Sequence, residues 1–197
     1  DVGTSPDDME FVSMETEHVV GLIGRSGDPS PVTAYGVYMG IKACAQAKYS
    51  DDSLAGKHVA VQGLGHVGYY LCKDLAEEGA KLTVTDIDQD RVKQVVDEFG
   101  AEAVEPDAIY AVDADIFAPC ALGAIVNDDT IDVLNVDIVA GAANNQLARG
   151  PIHGPALDER GILYAPDYVI NAGGLINVYG EIEGWSPERS KRKAGDI

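Results

Sequence analysis

Three glycines and one acid are the residues whose types and spacing suit chemistry best. Gly63, Gly65 and Gly68 stand at G-x-G-x-x-G spacing in "VAVQGLGHVGYYL", and Asp86 closes the run "KLTVTD" that follows. Such a pattern can cradle a dinucleotide. Gly63 permits a sharp turn, Gly65 lets a pyrophosphate approach bare backbone, and Gly68 lets a helix pack close to a strand. The amides of His66, Val67 and Gly68 would then face the phosphates from a helix N-terminus. Asp86, with Ile87 beside it, would accept the ribose hydroxyls of NAD and repel the extra phosphate of NADP, so NAD is the expected cofactor. Arg91, one helical turn on, could soften that selection. The same residues have plainer uses. The glycines could form a packing turn without a ligand, and Asp86 could cap the helix after it, although Asp88 can do that job. His66 invites a catalytic or metal role, but no partner is visible in the sequence, and it is read as an amide donor only.

These residues need a strand, a turn, a helix and a second strand, and the chain supplies them. Residues 58–62, 81–86, 115–119, 136–141 and 162–166 are short apolar runs that read as buried strands. Helical candidates lie between them at 66–78, 88–98, 128–134 and 155–160. This alternation predicts an α/β fold: a doubly wound, mostly parallel, Rossmann-type sheet with helices on both faces. A leading helical segment precedes it. Ser5 is a candidate N-cap with Pro6 after it, and Val37, Ile41, Cys44 and Ala45 share one face of a later helix. "NAGGLINVYGEIEGW" reads as a helix entered through two glycines. The expected division is 1–50 for the leading segment, 51–186 for the NAD-binding domain and 187–197 for the start of a cut C-terminal helix.

Composition narrows the partners. A formal net charge of −19 opposes binding to nucleic acid or an anionic membrane. The same acidity also suits a salty habitat. Cys44, Cys72 and Cys120 lie far apart in no metal-binding spacing, so no metal site is expected and reduced thiols in a cytoplasm fit best. No apolar run is long enough to span a membrane. The chain opens on Asp1 and stops within a helix-like stretch, and both ends are read as cuts from a larger protein.

Beyond the fingerprint, blocks along nearly the whole chain carry a resemblance. "DVGTSPDDM", "PSPVTAYGVYMGIKA", "GAKLTVTDID", "DIFAPCALGAIVND", "VAGAANNQLA" and "GILYAPDYVINAGGLINV" are similar to the NAD-binding domain of the amino-acid dehydrogenases. That family includes leucine, valine and phenylalanine dehydrogenases and, more distantly, glutamate dehydrogenase; the leucine enzymes look most alike. The resemblance implies oxidative deamination of a hydrophobic L-amino acid to its 2-oxo acid and ammonia. It implies that Cys120 and Ala121 border the adenosine side of the cofactor. Asn144, Asn145 and Asn171 would face its nicotinamide end, where amides orient a ring without adding charge. Asn after a strand also serves as plain turn chemistry. Asp1 would be the catalytic proton carrier. Leu175 and Val178 would line the side-chain pocket, with Val20 at the active-site edge; two apolar residues disfavour the carboxylate of glutamate.

The family's catalytic lysine belongs to a glycine-rich segment of a preceding domain. Lys42, Lys48, Lys57, Lys73, Lys81 and Lys93 all fall in cofactor-domain contexts, and no such segment stands in this sequence. The chain alone is therefore expected to bind NAD without turning over substrate, and a homo-oligomer is expected of the full-length enzyme. A branched-chain substrate is favoured, and phenylalanine is the alternative. Outside this class, a non-catalytic NAD-binding module is the competing reading.

Overall fold

A computed structural model describes residues 3–197. Asp1 falls outside the described residues. Among those described, six strands form one sheet: β1 (His58–Gln62), β2 (Lys81–Thr85), β3 (Glu102–Ala103), β4 (Ile116–Pro119), β5 (Ile138–Val139) and β6 (Leu163–Tyr164). Their order is β3-β2-β1-β4-β5-β6, and every neighbouring pair is parallel. This is the doubly wound order of dinucleotide-binding sheets, in which the winding direction reverses between β1 and β4.

The central strand explains the layering. Val59, Ala60 and Val61 are all fully buried, as a parallel strand covered on both faces must be. Val59 and Val61 join one apolar cluster with Val37, Ile41, Leu71 and Leu75. Ala60 points the other way, into a second cluster with Ile109, Phe117, Val139 and Leu157. Helices α2 (Ser30–Tyr49), α3 (His66–Glu77) and α4 (Gln89–Phe99) cover the first face. Helix α5 (Gly150–Glu159) covers the second. The predicted α/β sheet is thus present, and entirely parallel. The leading helix α1 (Pro6–Ser13) has the expected Ser5 cap, whose side chain accepts from the Asp8 N–H, but it ends seven residues before Val20.

Several expected boundaries need correction. The strand expected at 136–141 narrows to two residues, as does the one at 162–166. In place of a helix at 128–134 there is only a 3-10 turn at Ile131–Val133. The Asn127 side chain accepts from the amides of Asp129 and Thr130, at 2.9 and 3.1 Å, and this local turn replaces helical bonding. The helix expected from Pro155 begins at Gly150 instead: Pro151 takes the first-turn position and Pro155 rides inside. Strand β3 has no β-branched run to announce it.

The C-terminal half ends in α6 (Asp167–Ile170), α7 (Gly173–Ile182) and α8 (Pro187–Ala194). Glycines let these helices approach α2. A Cβ on Gly173 would stand 2.6 Å from the Val32 carbonyl oxygen, and one on Gly40 would stand 2.6 Å from Ile170 Cγ1.

Candidate functional site

The carboxyl ends of the strands form one rim, and the glycine turn lies on it where the sheet's winding reverses. Gly63 follows β1 with φ +92°, and its N–H donates to the Thr85 carbonyl at 2.8 Å. A Cβ there would meet the Ala121 backbone nitrogen at 2.8 Å. A Cβ on Gly68 would collide with the Gly63 carbonyl oxygen at 2.0 Å. Gly65 differs from both: among the described residues beyond its chain neighbours, just Arg91 Nη1 comes within 4 Å of its missing Cβ, at 3.7 Å. Two glycines are therefore demanded by packing, and the third leaves a cradle in front of the first turn of α3. The amides of His66, Val67 and Gly68 belong to that first turn and lack intrahelical partners. The shape and the free donors fit a pyrophosphate.

Asp86 is clasped to the same turn. Its Oδ2 accepts from the Leu64 N–H at 2.6 Å and its Oδ1 from the Asp88 N–H at 2.9 Å. Each oxygen keeps a lone pair for a ribose hydroxyl. Asp88, not Asp86, caps α4, accepting from the Asp90 and Arg91 amides. Ile87 is 90 % exposed beside them, an apolar surface on which an adenine could rest.

His66 does have a charged neighbour. Its Nδ1 lies 3.6 Å from Asp28 Oδ2, while Asp28 Oδ1 accepts from the Ser30 N–H at the start of α2. The loop before α2 thus reaches the glycine turn, a contact the sequence did not reveal. Among the described residues no group of three or more His, Cys, Asp or Glu is arranged to hold a metal ion.

Further along the rim, the Cys120 N–H donates to the Gln62 carbonyl at 2.7 Å, and Ala121 abuts Gly63. Burial pushes the Cys120 thiol up to about 11, despite the opposing effect of the Ala142 N–H. The thiol stays protonated at neutral pH and is a poor nucleophile. Asn171 Nδ2 donates to the Ala142 carbonyl at 3.2 Å and to Asn144 Oδ1, so two of the three expected asparagines meet. Asn145 adopts a left-handed φ of +52°, and its carbonyl accepts from the Ala124 N–H at 2.7 Å. At that position the turn reading describes the backbone well.

Sequence reasoning missed two residues that hold this rim. Gln146 is fully buried and donates to the carbonyls of Gly141 and Ala143, fixing the loop that carries Asn144 and Asn145. Glu181 on α7 accepts from the Gly21 and Ser26 amides and the Ser26 hydroxyl, which ties the loop beyond Val20 to the helix bearing Leu175 and Val178. A single polar residue without a period carries no sequence signal for such a task. Leu175 itself is 71 % exposed and Val178 half-buried. Five lysines are engaged away from the glycine turn, Lys42 with Glu78, Lys48 with Asp137, Lys57 with Asp115, Lys73 with Glu77 and Lys93 with Asp97. Lys81 opens β2, at the opposite end of that strand from the rim.

Fold and rim together define a doubly wound α/β protein with a glycine turn at the switch point of its sheet. A profile of the glutamate/leucine/phenylalanine/valine dehydrogenases matches residues 24–89 and 84–190. Leucine dehydrogenase of Thermoactinomyces intermedius is 58 % identical over 200 residues, covering all of this chain and 54 % of that protein. Phenylalanine dehydrogenase of Lysinibacillus sphaericus is 47 % identical over 205 residues, again covering all of this chain and 54 % of its own length. The crystal structure of L-tryptophan dehydrogenase from Nostoc punctiforme superposes with a TM-score of 0.83 at 50 % identity, covering 85 % of this chain and 51 % of that one. The chain belongs to the glutamate/leucine/phenylalanine/valine dehydrogenase family. It spans about half the length of the curated relatives it matches.

Proposed function

We propose that this chain is the NAD-binding part of an oxidoreductase that deaminates a hydrophobic L-amino acid, with a branched-chain substrate favoured. The observation that carries the reading is the glycine turn: Gly65 offers open backbone at the sheet's switch point, with the Asp86 carboxylate clasped beside it. When bound, the nicotinamide would accept a hydride from the amino acid's α-carbon, on the way to a 2-oxo acid and ammonia. The first-turn amides of α3 hold the pyrophosphate, and Asp86 takes the adenosine ribose and disfavours a 2′-phosphate. Cys120 and Ala121 border the adenosine side. Asn144, Asn145 and Asn171 orient the nicotinamide amide without placing charge on the hydride path. Leu175 and Val178 present apolar surface to the substrate side chain, in keeping with relatives named for leucine, phenylalanine and tryptophan. Asp1 carries protons to and from the imine, a role resting on the "DVGT" block alone.

The lysine chemistry of the reaction, and a homo-oligomeric assembly, belong in this reading to the longer protein. Titration of the chain with NADH and NADPH, followed by nicotinamide fluorescence, tests the cofactor assignment; tighter binding of NADH is expected and equal affinity overturns the NAD preference. Assay of the same chain with NAD and L-leucine is expected to give no NADH, and measurable production would overturn the division of labour.

A further inference from the structure

The charges fixed around the glycine turn are chiefly negative: Asp86 clasps it, Asp88 caps the neighbouring helix, and Asp28 faces His66. A dinucleotide brings further negative charge to the same place. A cation beside the turn answers it. Arg91, in the first turn of α4, keeps its Nε 3.3 Å from Asp88 Oδ2 and turns Nη1 toward Gly65, 3.7 Å from the position a Cβ would take. Its side chain is half exposed, at 50 %. The guanidinium fork has five N–H donors, so with Nε held by Asp88 the Nη edge remains free for an anion in front of Gly65.

We propose that Arg91 is a phosphate ligand for the adenosine half of the cofactor, which rests on the dinucleotide reading above. Asp88 aims the guanidinium, and Gly65 leaves the space it faces. The chemistry recognised is a phosphate ester on adenosine. Two sources offer it: the pyrophosphate over Gly65, and the 2′-phosphate that NADP adds to the ribose beside Asp86. With the second source, Arg91 offsets part of the repulsion from Asp86 and lets the site accept NADP at reduced affinity.

The test titrates the full chain, Arg91→Ala, Lys93→Ala and Gly65→Val with NADH and NADPH at low, fixed ionic strength, with circular dichroism confirming the fold. Losing a charge-assisted bidentate contact is expected to weaken binding about tenfold. Equal weakening of both cofactors in Arg91→Ala identifies the pyrophosphate, and selective weakening of NADPH identifies the 2′-phosphate; either supports the proposal. Lys93→Ala, two residues on and paired with Asp97, is expected to bind as the parent does, and a loss as large as that of Arg91→Ala would reduce Arg91 to a diffuse charge effect and overturn the proposal. If Arg91→Ala binds both cofactors within twofold of the parent while Gly65→Val binds neither, Arg91 has no such role and the dinucleotide reading stands. If the parent chain binds neither cofactor, both fall.

Discussion

Gly65 and Gly68 are three residues apart and identical in type, yet a side chain at each should have opposite consequences. At Gly68 a Cβ would meet the Gly63 carbonyl oxygen at 2.0 Å, against backbone, with no flexible side chain to give way. Gly68→Val should destabilise by on the order of 3 kcal/mol or more, read as a fall in the urea midpoint. At Gly65 the backbone φ of −62° suits any residue, and an added Cβ would stand in ordinary contact with the end of Arg91, at 3.7 Å. Gly65→Val should keep its unfolding free energy within about 1 kcal/mol of the parent's and lose NADH binding by more than tenfold. If both variants lose only stability, the turn serves packing and not a ligand. The sequence made this turn legible because its three glycines stood between a strand and a helix with an acid downstream. It could not separate their tasks, because those depend on Ala121, the Gly63 carbonyl and Arg91, which the fold brings from elsewhere. Asp28 and Gln146 were illegible for the same reason: each acts through a pair of contacts that leaves no pattern in its neighbours.

Among the elements, α2 is the one whose placement most needed the structure. Its apolar stripe of Val37, Ile41, Cys44 and Ala45 was readable as a helix face, and all four are buried. What it packs against was not readable, because the partners are helices α3, α6, α7 and α8 and the close approach depends on Gly36, Gly40 and Gly173. A single carboxylate secures one side of the α2–α3 contact. Glu78, at the end of α3, accepts from the Tyr38 hydroxyl at 2.6 Å, the Lys42 ammonium at 2.6 Å and the Leu54 N–H at 3.1 Å. Burial alone would raise its carboxyl, but the bonds from Lys42, Tyr38 and Leu54 outweigh that and hold it below the ordinary carboxylate value. A group lowered on folding contributes stability above its unfolded pKa, about 4.3, and loses it as pH falls through the lower folded value. Glu78→Ala should therefore cost about 1–3 kcal/mol at pH 7, and the gap between parent and variant should close as the pH is taken from 5 to 3. Urea denaturation of both proteins across that range checks it, and a gap that widened in acid would refute the assignment. Short elements were the ones misread. Strand β3 spans two exposed residues, and the Asn127 turn displaced a helix through bonds that propensity does not register.

For the molecule as a whole, two features decide how the chain holds together. The first is its last helix. Ala194 is fully buried, a Cβ on Gly180 would stand 2.4 Å from Ser190 Oγ, and one on Gly36 would stand 2.9 Å from Ile197 Cδ1, so residues 187–197 close over α2 and α7. Deleting them should lower the thermal midpoint of the chain, as seen by differential scanning fluorimetry. The second is charge. With 33 acidic against 14 basic side chains, mutual repulsion disfavours the compact state, because unfolding moves the carboxylates apart. Added salt shortens the screening length from roughly 10 Å at 0.1 M to roughly 3 Å at 1 M, which relieves that repulsion. The same salt weakens surface pairs such as Lys73–Glu77 and Lys93–Asp97, but exposed pairs contribute only about 0–1 kcal/mol each, so the net effect should be stabilising. The thermal midpoint is expected to rise by several degrees between 0.05 and 1 M NaCl, since about 1 kcal/mol moves the midpoint of a chain this size by about 2–4 °C. Sucrose at matched osmolality separates screening from general exclusion of cosolute. If sucrose raises the midpoint as much as NaCl does, or if NaCl leaves it unchanged, the acid excess does not limit stability. If NaCl acts alone, the acidity of the chain is a standing electrostatic load that its working environment must screen.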